Sequence, residues 1–462
     1  MTSLLLLLVF ASYSTTGVYG QNGAFGTTFI FSFPYNIGGG IPSVFISTQL
    51  NDPVTVTVSV PGIRFTHLVH VTRDQGATID LPEEAAITTR ISIKTNKAVV
   101  IHAGEPVTIH GYYTGVGFAD GFLVLPATAL GKNYVAVGYA PTYEYNSEFA
   151  VTAIEDQTTV LIKGQTKFSI SLKQYESYQF VADSNSMDVT GMLINANKPV
   201  SVMSGHPSSS VSSDDPIPSI DYLMENIPPV SALGHHYILA PFLGRTSGFV
   251  YRVVATSSDV TNVTISGVNV SLSTGEFYEG NAMTSEDLIT VLADKPIIVC
   301  QYAKGYHTDN VGDPFMVLLP PIQAFYHNVT FPVATLANRN QQYYISITSE
   351  CGNIYSFYLD GLPLNVHNSS LLQTFDGAFC VIRTNITTGF HTVTHPSASF
   401  LVIVYGFAEF QGYGYVAGYN VGLNNESDVD SSITTENSSS RTSTISVVNV
   451  VAVAVSVFLT LL

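Results

Sequence analysis

The sequence contains no tryptophan, only three cysteines and few charged residues. Of its 462 residues, 11% are charged and 46% are apolar, whereas an average soluble domain has roughly 25% charged residues. Three cysteines exclude a disulfide-rich scaffold, and the apolar content excludes a disordered chain. We therefore expect a large packed core with at most one disulfide.

Positive charge and catalytic motifs are also scarce. The chain has 17 Lys and Arg against 34 Asp and Glu, a formal net charge of −17. Such a chain repels nucleic-acid phosphates and anionic lipid surfaces, so nucleic acid is excluded as a partner. The motifs G-x-S-x-G, H-E-x-x-H and the P-loop are absent. We expect no enzymatic activity, no catalytic residues, no metal and no cofactor.

What the sequence does contain is an internal repeat. The words TNKAVVIHAG, ANKPVSVMSGH and ADKPIIVCQY begin at Thr95, Ala196 and Ala293, about 100 residues apart. Each is followed by an aspartate and an apolar run that ends in proline: DGFLVLP, DYLMENIP and DPFMVLLP, beginning at Asp120, Asp221 and Asp313. A fourth relative, HPSASFLVIVYGF, begins at His395. This periodicity indicates about four internal repeats of roughly 100 residues.

Residues alternate between apolar and polar within each repeat, which predicts an all-β protein. The Pro of "KPV" is expected at the first residue of a strand, and the repeated Asp is expected to cap its own turn. Two architectures fit, a closed propeller-like ring and tandem β-sandwiches. We favour the ring, because the related segments FGTTFIFSF, from Phe25, and GYGYVAG, from Gly412, begin and end the domain in mid-repeat.

Export signals occur near the N-terminus and in the second half of the chain. The apolar run Leu4–Phe10, followed by small residues up to Gly20, predicts a signal peptide over residues 1–20, with a buried strand as the alternative. Seven N-x-S/T sequons crowd the second half and suggest a glycosylated face. The candidate glycosylation sites are Asn262, Asn269, Asn328, Asn368, Asn385, Asn425 and Asn437.

The C-terminal region predicts a lipid anchor. Residues 423–446 form a Ser/Thr/Asn-rich stalk, and residues 447–462 are mostly apolar but too short for a typical spanning helix. Small residues from Ser438, a polar spacer and this tail match a glycosylphosphatidylinositol (GPI) signal with Ser438 as the lipidation site. A short tail-anchored or buried strand is the alternative. Residues 21–422 are left as the folded domain.

Several motifs in order resemble the N-terminal domain of the IgGFc-binding protein family. They are DVTGMLINANKPVSVMSGH, DYLMENIPPVSALGHHYILAP, ADKPIIVCQYAKG and GDPFMVLLP. The resemblance implies a secreted or cell-surface protein and implies no catalysis. Two family cysteines are replaced near Pro207 and Ile220, which suggests one absent disulfide. The cysteine-rich von Willebrand type D modules of the long family members are also absent, which puts gel-forming roles in doubt.

Few residues are candidates for individual chemistry. His235 and His236 are adjacent in a predicted strand and point to opposite faces, which disfavours a shared metal. The acidic loops Asp214–Asp215 and Asp309–Asp313 are expected to be solvated. The word GDPF, from Gly312, resembles a self-cleaving Asp-Pro motif, but its repeat position favours a structural role.

The cysteines predict one disulfide. Cys351 and Cys380 both lie near turns of the last repeat and are expected to form it. Cys300 lies in an alternating strand and is expected to be a buried free thiol.

Two functions follow from these features. The first is a non-catalytic extracellular binding or adhesion protein whose loops, rich in the 26 Tyr and 26 Phe of the chain, contact a glycoprotein, mucin or microbial surface. The second is a glycan-processing enzyme, which would need two carboxylates in one cleft. The first is favoured because no acid pair recurs in the repeats. The residues that bind the ligand are not identified by the sequence.

Overall fold

The computed structural model describes residues 23–421 except 116, 143–144, 184–186 and 212–217. The signal peptide, the stalk, the C-terminal tail and the sites Asn425, Asn437 and Ser438 lie outside these residues. In the described ranges the chain is all-β, with eight three-residue 3-10 helices and no α-helix. None of its helices there has the length and apolar character needed to cross a membrane.

The strands fall into four consecutive modules. Those of the first module are β1 (Gly26–Phe31), β2 (Ile41–Ser47), β3 (Val54–Val60), β4 (Phe65–Val71), β5 (Ala77–Asp80), β6 (Ile93–Thr95), β7 (Val99–Gly115) and β8 (Phe118–Val124). Those of the second module are β9 (Gly131–Val135), β10 (Glu148–Ala153), β11 (Thr158–Lys163), β12 (Lys167–Leu172), β13 (Ser177–Val181), β14 (Leu193–Ser209) and β15 (Asp221–Ile227).

The third and fourth modules repeat this order. The third contains β16 (Gly234–Leu239), β17 (Phe249–Ala255), β18 (Thr261–Ile265), β19 (Val268–Leu272), β20 (Phe277–Ala282), β21 (Ile289–Tyr302) and β22 (Met316–Leu319). The fourth contains β23 (Asn328–Val333), β24 (Gln342–Glu350), β25 (Tyr358–Leu359), β26 (Leu362–Pro363), β27 (Ser370–Gln373), β28 (Phe379–Asn385), β29 (Gly389–Thr394), β30 (Leu401–Ala408) and β31 (Gln411–Val416). The 3-10 helices are Pro61–Ile63, Glu83–Ala85, Ala127–Ala129, Val230–Ala232, Tyr306–Thr308, Ile322–Ala324, Cys351–Asn353 and Val366–Asn368.

One long strand joins the two halves of each of the first three modules. In the first module, β7 pairs through its first half with β1 and β3 and through its second half with β2 and β8. Strands β14 and β21 do the same in the next two modules. In the fourth module this strand is divided into β29 and β30 by residues 395–400. The repeated sequence words therefore encode the strand on which each module is built.

The expected position of the "KPV" proline is wrong. Pro199 and Pro296 lie inside β14 and β21, not at their first residues. The ladder with the neighbouring strand skips from Asn195 to Val200 at this point, so the proline stands at an irregularity where its missing N–H interrupts no regular ladder. The preceding Lys198 donates to the backbone carbonyl of Asp156 at 2.7 Å. The repeated word thus marks the bend of the long strand.

The last strands of the four modules meet at the centre of the domain. We call β8, β15, β22 and β31 the inner strands; β8 contacts β15, β15 contacts β22, β22 contacts β31, and β31 contacts β8. All residues of β8 and β15 are buried, including the polar side chains that these strands carry among their apolar ones. The fold combines features of both expected architectures. Each of the first three modules is one sheet whose two halves share the long strand, the fourth module has two sheets, and the inner strands close a cycle.

The two ends of the described chain meet beside this cycle. Gly23 forms an antiparallel bridge with Asn420, and the N–H of Ala24 donates to the carbonyl of Tyr419 at 2.8 Å. The N–H of Asn420 donates in turn to the carbonyl of Ala324 at 2.8 Å. The first and last segments therefore complete one another, as the mid-repeat start and end of the sequence predict.

Candidate functional site

The carboxylate of Asp120 lies where the four inner strands meet. Its Oδ1 accepts the N–H of Gly121 at 2.8 Å, and its Oδ2 accepts the N–H of Met224 at 3.1 Å. It also accepts hydrogen bonds from the backbone of Met316 and Gly414. One buried side chain thus binds backbone donors from all four modules.

Further polar side chains join neighbouring inner strands. Asp221 accepts the N–H of Ala119 at 3.1 Å, and the Oδ1 of Asn226 accepts the N–H of Leu125 at 2.8 Å. The Oε1 of Glu225 accepts the N–H of Leu318 at 2.9 Å. These bonds connect the second module to the first and to the third.

Burial dominates the electrostatics of this centre. It raises the pKa of Asp120, Asp221 and Glu225 well above their usual values, because desolvation disfavours a charged carboxylate. The nearby carboxyl of Asp313 raises the pKa of Asp221 further. These acids are enclosed by strands and serve to join the modules.

The three repeated aspartates do not occupy one structural position, contrary to the sequence alignment. The inner strands pair with the long strands in a common register, in which three residues are equivalent: Val124, Ile227 and Leu319. Asp221 and Asp313 stand six residues before that position and Asp120 stands four before it. A shift of two keeps the same face of a strand, so Asp120 still reaches the centre. Asp120 and Asp221 also bind across modules, beyond the expected local cap.

The most exposed apolar surface lies in a loop of the fourth module that is closed by a disulfide. Cys351 and Cys380 are bonded, as the sequence predicts, and we call residues 351–380 the disulfide loop. Five of the thirteen exposed large apolar side chains of the described residues lie in it: Tyr355, Tyr358, Leu362, Leu371 and Phe375. Phe375 is fully exposed, and Tyr355 and Leu362 are each 71% exposed. Apolar side chains concentrated in this way indicate a contact surface.

The disulfide loop is attached to the module by polar contacts. The Oδ2 of Asp360 lies 2.7 Å from Nδ1 of His391, and its Oδ1 accepts the N–H of Thr392 at 2.8 Å. Within the loop, the N–H of Cys351 donates to the carbonyl of Ala378 at 3.0 Å, which adds to the closure by the disulfide. The exposed side chains are therefore presented by an ordered loop, which reduces the entropy lost on binding.

Removal of the disulfide is expected to destabilise the fourth module. Replacing Cys351 and Cys380 by alanine opens a loop of 29 residues, for which the chain-entropy model gives about 3.6 kcal/mol. Thermal unfolding of the double variant should therefore begin at a lower temperature than that of the parent protein. Reductant should lower the transition of the parent protein but leave the double variant unchanged; equal stability of the two proteins would contradict the expectation.

A second candidate is a groove of about 590 Å³ near the meeting point of the chain ends. Its walls include Phe25 and Tyr326, whose rings lie 5.5 Å apart, together with Leu50, Pro106 and the carboxylate of Glu105. Glu105 is the one acidic residue in its lining. A glycosidase of the usual kind needs two carboxylates, so this groove does not supply the acid pair of the enzyme hypothesis.

The described sequon asparagines differ in exposure. Asn262, Asn269 and Asn385 are exposed, whereas Asn328 is half-buried and its Nδ2 donates to Oε1 of Gln49 at 3.2 Å. Asn368 lies in the disulfide loop. Occupancy of all seven sequons stays a prediction.

The expectation of a solvated loop is wrong for Asp313, which is buried, and for Asp309, whose side chain is 4% exposed. The Oδ2 of Asp309 lies 2.9 Å from Nε of Arg245 and accepts the hydroxyl of Ser247 at 2.8 Å. Burial would raise the pKa of Asp309, but Arg245 and the hydrogen bonds lower it overall. Its partner lies 64 residues away in the chain, so no local pattern could reveal the pair. Asp214 and Asp215 lie outside the described residues.

The remaining candidates are structural in the described chain. Cys300 is a buried free thiol in β21, as expected, and Phe315 of the GDPF word is buried against Phe242, with ring centroids 4.8 Å apart. His235 and His236 are adjacent in β16, and both are half-buried. Within the ranges described, no group of three or more His, Cys, Asp or Glu residues could hold a metal ion.

Comparison with known proteins identifies related sequences. The family model described as "IgGFc binding protein" matches residues 120–406. The human IgGFc-binding protein is 24% identical over 319 residues, which cover 65% of this chain but 6% of that protein. No solved structure matches the chain significantly.

Proposed function

This chain belongs to the IgGFc-binding protein family, and on that premise we propose that it is a non-catalytic binding protein of the cell surface. Its ligand is an extracellular glycoprotein, a mucin or a microbial surface, and its contact surface is the disulfide loop. Because the chain spans only 6% of the length of its human relative, the activities of that whole protein are not transferred to it. Binding of immunoglobulin Fc is one case to be tested.

The observation that carries this proposal is the exposure of Tyr355, Leu362 and Phe375 in a loop fixed by a disulfide. Aromatic side chains are frequent among the residues that dominate binding energy, because they bury a large area at low entropic cost. Leaving them exposed has no benefit for the core. A contact surface for a partner accounts for both the exposure and the covalent closure of the loop.

The proposal is tested by removing these anchors while preserving the fold. The soluble domain, residues 21–422, would capture ligands from mucus and cell-surface extracts and would be assayed directly against immunoglobulin Fc. For any ligand that binds, we expect Tyr355→Ser and Phe375→Ser each to weaken binding at least about tenfold, as truncation of a binding hot spot does. The melting temperature should not change.

Leu68→Ser provides the matched control, because Leu68 is 57% exposed on β4 of the first module. This control should bind like the parent protein. If ligand binding were equal in all four proteins, the disulfide loop would not be the contact surface. Turnover of a glycan substrate by the parent protein would instead support the enzyme alternative.

We also propose that a GPI anchor attached near Ser438 holds the protein on the outer face of the plasma membrane. The basis is the sequence pattern of residues 423–462. Phosphatidylinositol-specific phospholipase C should release the protein from intact cells together with a known GPI-anchored control. Retention of the protein on cells that have shed the control would contradict the anchor.

A further inference from the structure

A small polar cavity lies where β6 of the first module pairs with β13 of the second. Its volume is about 140 Å³, and the described residues that line it are Arg90, Tyr145, Asn146, Glu148, Val181 and Pro207. Arg90 precedes β6, whereas Glu148 and Val181 lie opposite each other on β10 and β13. The cavity is therefore shared by two modules and lies apart from the disulfide loop in the sequence.

Glu148 is the unusual residue of this cavity. Its side chain is fully buried, and among the described residues neither Oε1 nor Oε2 has a hydrogen-bond partner. Burial raises the pKa of this carboxyl well above its usual value. The guanidinium of Arg90 lies over the ring of Tyr145, 5.8 Å from its centroid. A buried carboxyl without a partner is costly, which points to a ligand.

Asn146 supplies a third acceptor oxygen to the same cavity. Its Nδ2 donates to the backbone carbonyl of Ala182 at 2.8 Å, which fixes the orientation of the amide. Its Oδ1 is buried and has no hydrogen-bond partner in the part of the chain that the structure describes. Ser147, between the two residues, is directed elsewhere and binds the carbonyl of Met187 at 3.3 Å. Three buried oxygens of Asn146 and Glu148 are thus left as acceptors without donors.

A set of oxygen acceptors is complemented by a cation. Carboxylate and amide oxygens are the ligands that Ca²⁺ prefers, and Ca²⁺ tolerates irregular sites completed by water. We propose that Glu148 and Asn146 bind a hard divalent cation of the Ca²⁺ class in this cavity. This site has only one carboxylate. It therefore differs from the groups of three or more His, Cys, Asp or Glu residues, none of which occurs in the described ranges. Its low charge places its dissociation constant at about 10⁻⁴–10⁻³ M, the range of extracellular modules.

Binding is tested with Tb³⁺ as a luminescent substitute for Ca²⁺. Tyr145 lines the cavity and the chain has no tryptophan, so sensitised Tb³⁺ emission arises from tyrosine. We expect a saturable emission from the soluble domain that Ca²⁺ displaces at about 10⁻⁴–10⁻³ M and that Na⁺ at equal ionic strength does not. Absence of displacement at any Ca²⁺ concentration up to about tenfold above this range would overturn the proposal.

Two variants and one control locate the site. Glu148→Gln preserves shape and removes the charge, and it should weaken Ca²⁺ binding at least about tenfold, whereas Asp74→Asn, at an exposed turn, should not. An unchanged Ca²⁺ affinity in Glu148→Gln would overturn the assignment. If that variant does not fold, Asn146→Ala decides the question: weaker Ca²⁺ binding with a native circular dichroism spectrum supports the site, and unchanged binding refutes it.

Discussion

Replacing Asp120 by alanine is expected to lower the free energy of unfolding by about 4 kcal/mol, the largest effect of any single substitution considered for this protein. The change leaves the backbone N–H groups of Met224, Met316 and Gly414 without their acceptor at the buried centre. Each buried donor without a partner costs about 1–3 kcal/mol, and partial relaxation reduces the sum. Loss of the carboxyl group also leaves a small cavity.

The measurement is urea unfolding of the soluble domain, monitored by tyrosine fluorescence and circular dichroism. Asp120→Asn preserves the volume and one acceptor oxygen, and it should lose about half as much stability as the alanine variant. Glu105→Ala, at an exposed position, serves as the control and should change stability by less than about 0.5 kcal/mol. A loss as small as the control's in Asp120→Ala would show that the centre does not depend on this carboxylate.

The stability of the domain is expected to fall as the pH rises from 7.0 to 8.5 in Ca²⁺-free buffer. Burial raises the pKa of Asp120, Asp221 and Glu225 in the folded protein, whereas unfolding returns each carboxyl to a pKa of about 4. A carboxyl whose pKa is higher in the folded than in the unfolded state makes its full contribution to the free energy of unfolding below its unfolded-state pKa. This contribution is lost as the pH rises. The slope is about 1.4 kcal/mol per pH unit for each carboxyl that stays protonated.

Two buried histidines set the lower limit of the pH range for this measurement. Burial lowers the pKa of His110 to about 4 and that of His206 to about 3. Because their unfolded pKa is about 6.5, these histidines destabilise the fold progressively as the pH falls below 6.5. Above pH 7 they are largely neutral in both states, so the buried carboxyls set the trend. Near pH 8.5 the buried thiol of Cys300, whose pKa is also raised by burial, acts in the same direction.

Urea unfolding at pH 7.0, 7.75 and 8.5 in the presence of a chelator would measure this trend. We expect a loss of about 2 kcal/mol over the range for each carboxyl that stays protonated throughout. Glu225→Gln should flatten the slope by about 1.4 kcal/mol per pH unit, because Gln does not titrate. A stability that is constant or rises with pH would contradict the expected protonation.

The sequence predicts the parts of the fold that depend on local residue patterns. Alternation predicts the strands: Val54, Val56 and Val58 are buried and Thr55 is exposed. The repeat period predicts four related modules, and the positions of the two cysteines near turns predict their disulfide. Each of these features depends on residues close together in the chain or on a word that recurs.

The features that the sequence does not predict depend on distant partners. Arg245 neutralises Asp309 across 64 residues, and Asp120 binds Met224 across 104. Asn146 and Glu148, whose oxygens lack partners among the described residues of the polar cavity, look in the sequence like ordinary polar residues at the start of a strand. The sequence also does not predict that the long strands continue through their prolines. Proline usually begins or ends a strand, and here it stands at an internal irregularity. Only the packing of the modules reveals these roles.

The bridge between Gly23 and Asn420 has a consequence for the order of folding. Strand β8 contacts β31, whose residues follow it by almost 300 positions, so the first module gains its last neighbour only after the fourth has been synthesised. Contacts of such sequence separation slow folding. Adjacent ends also permit circular permutation: a short linker from residue 421 to residue 23, with new ends opened in the exposed 266–267 turn of the third module, should yield the same fold by a different route.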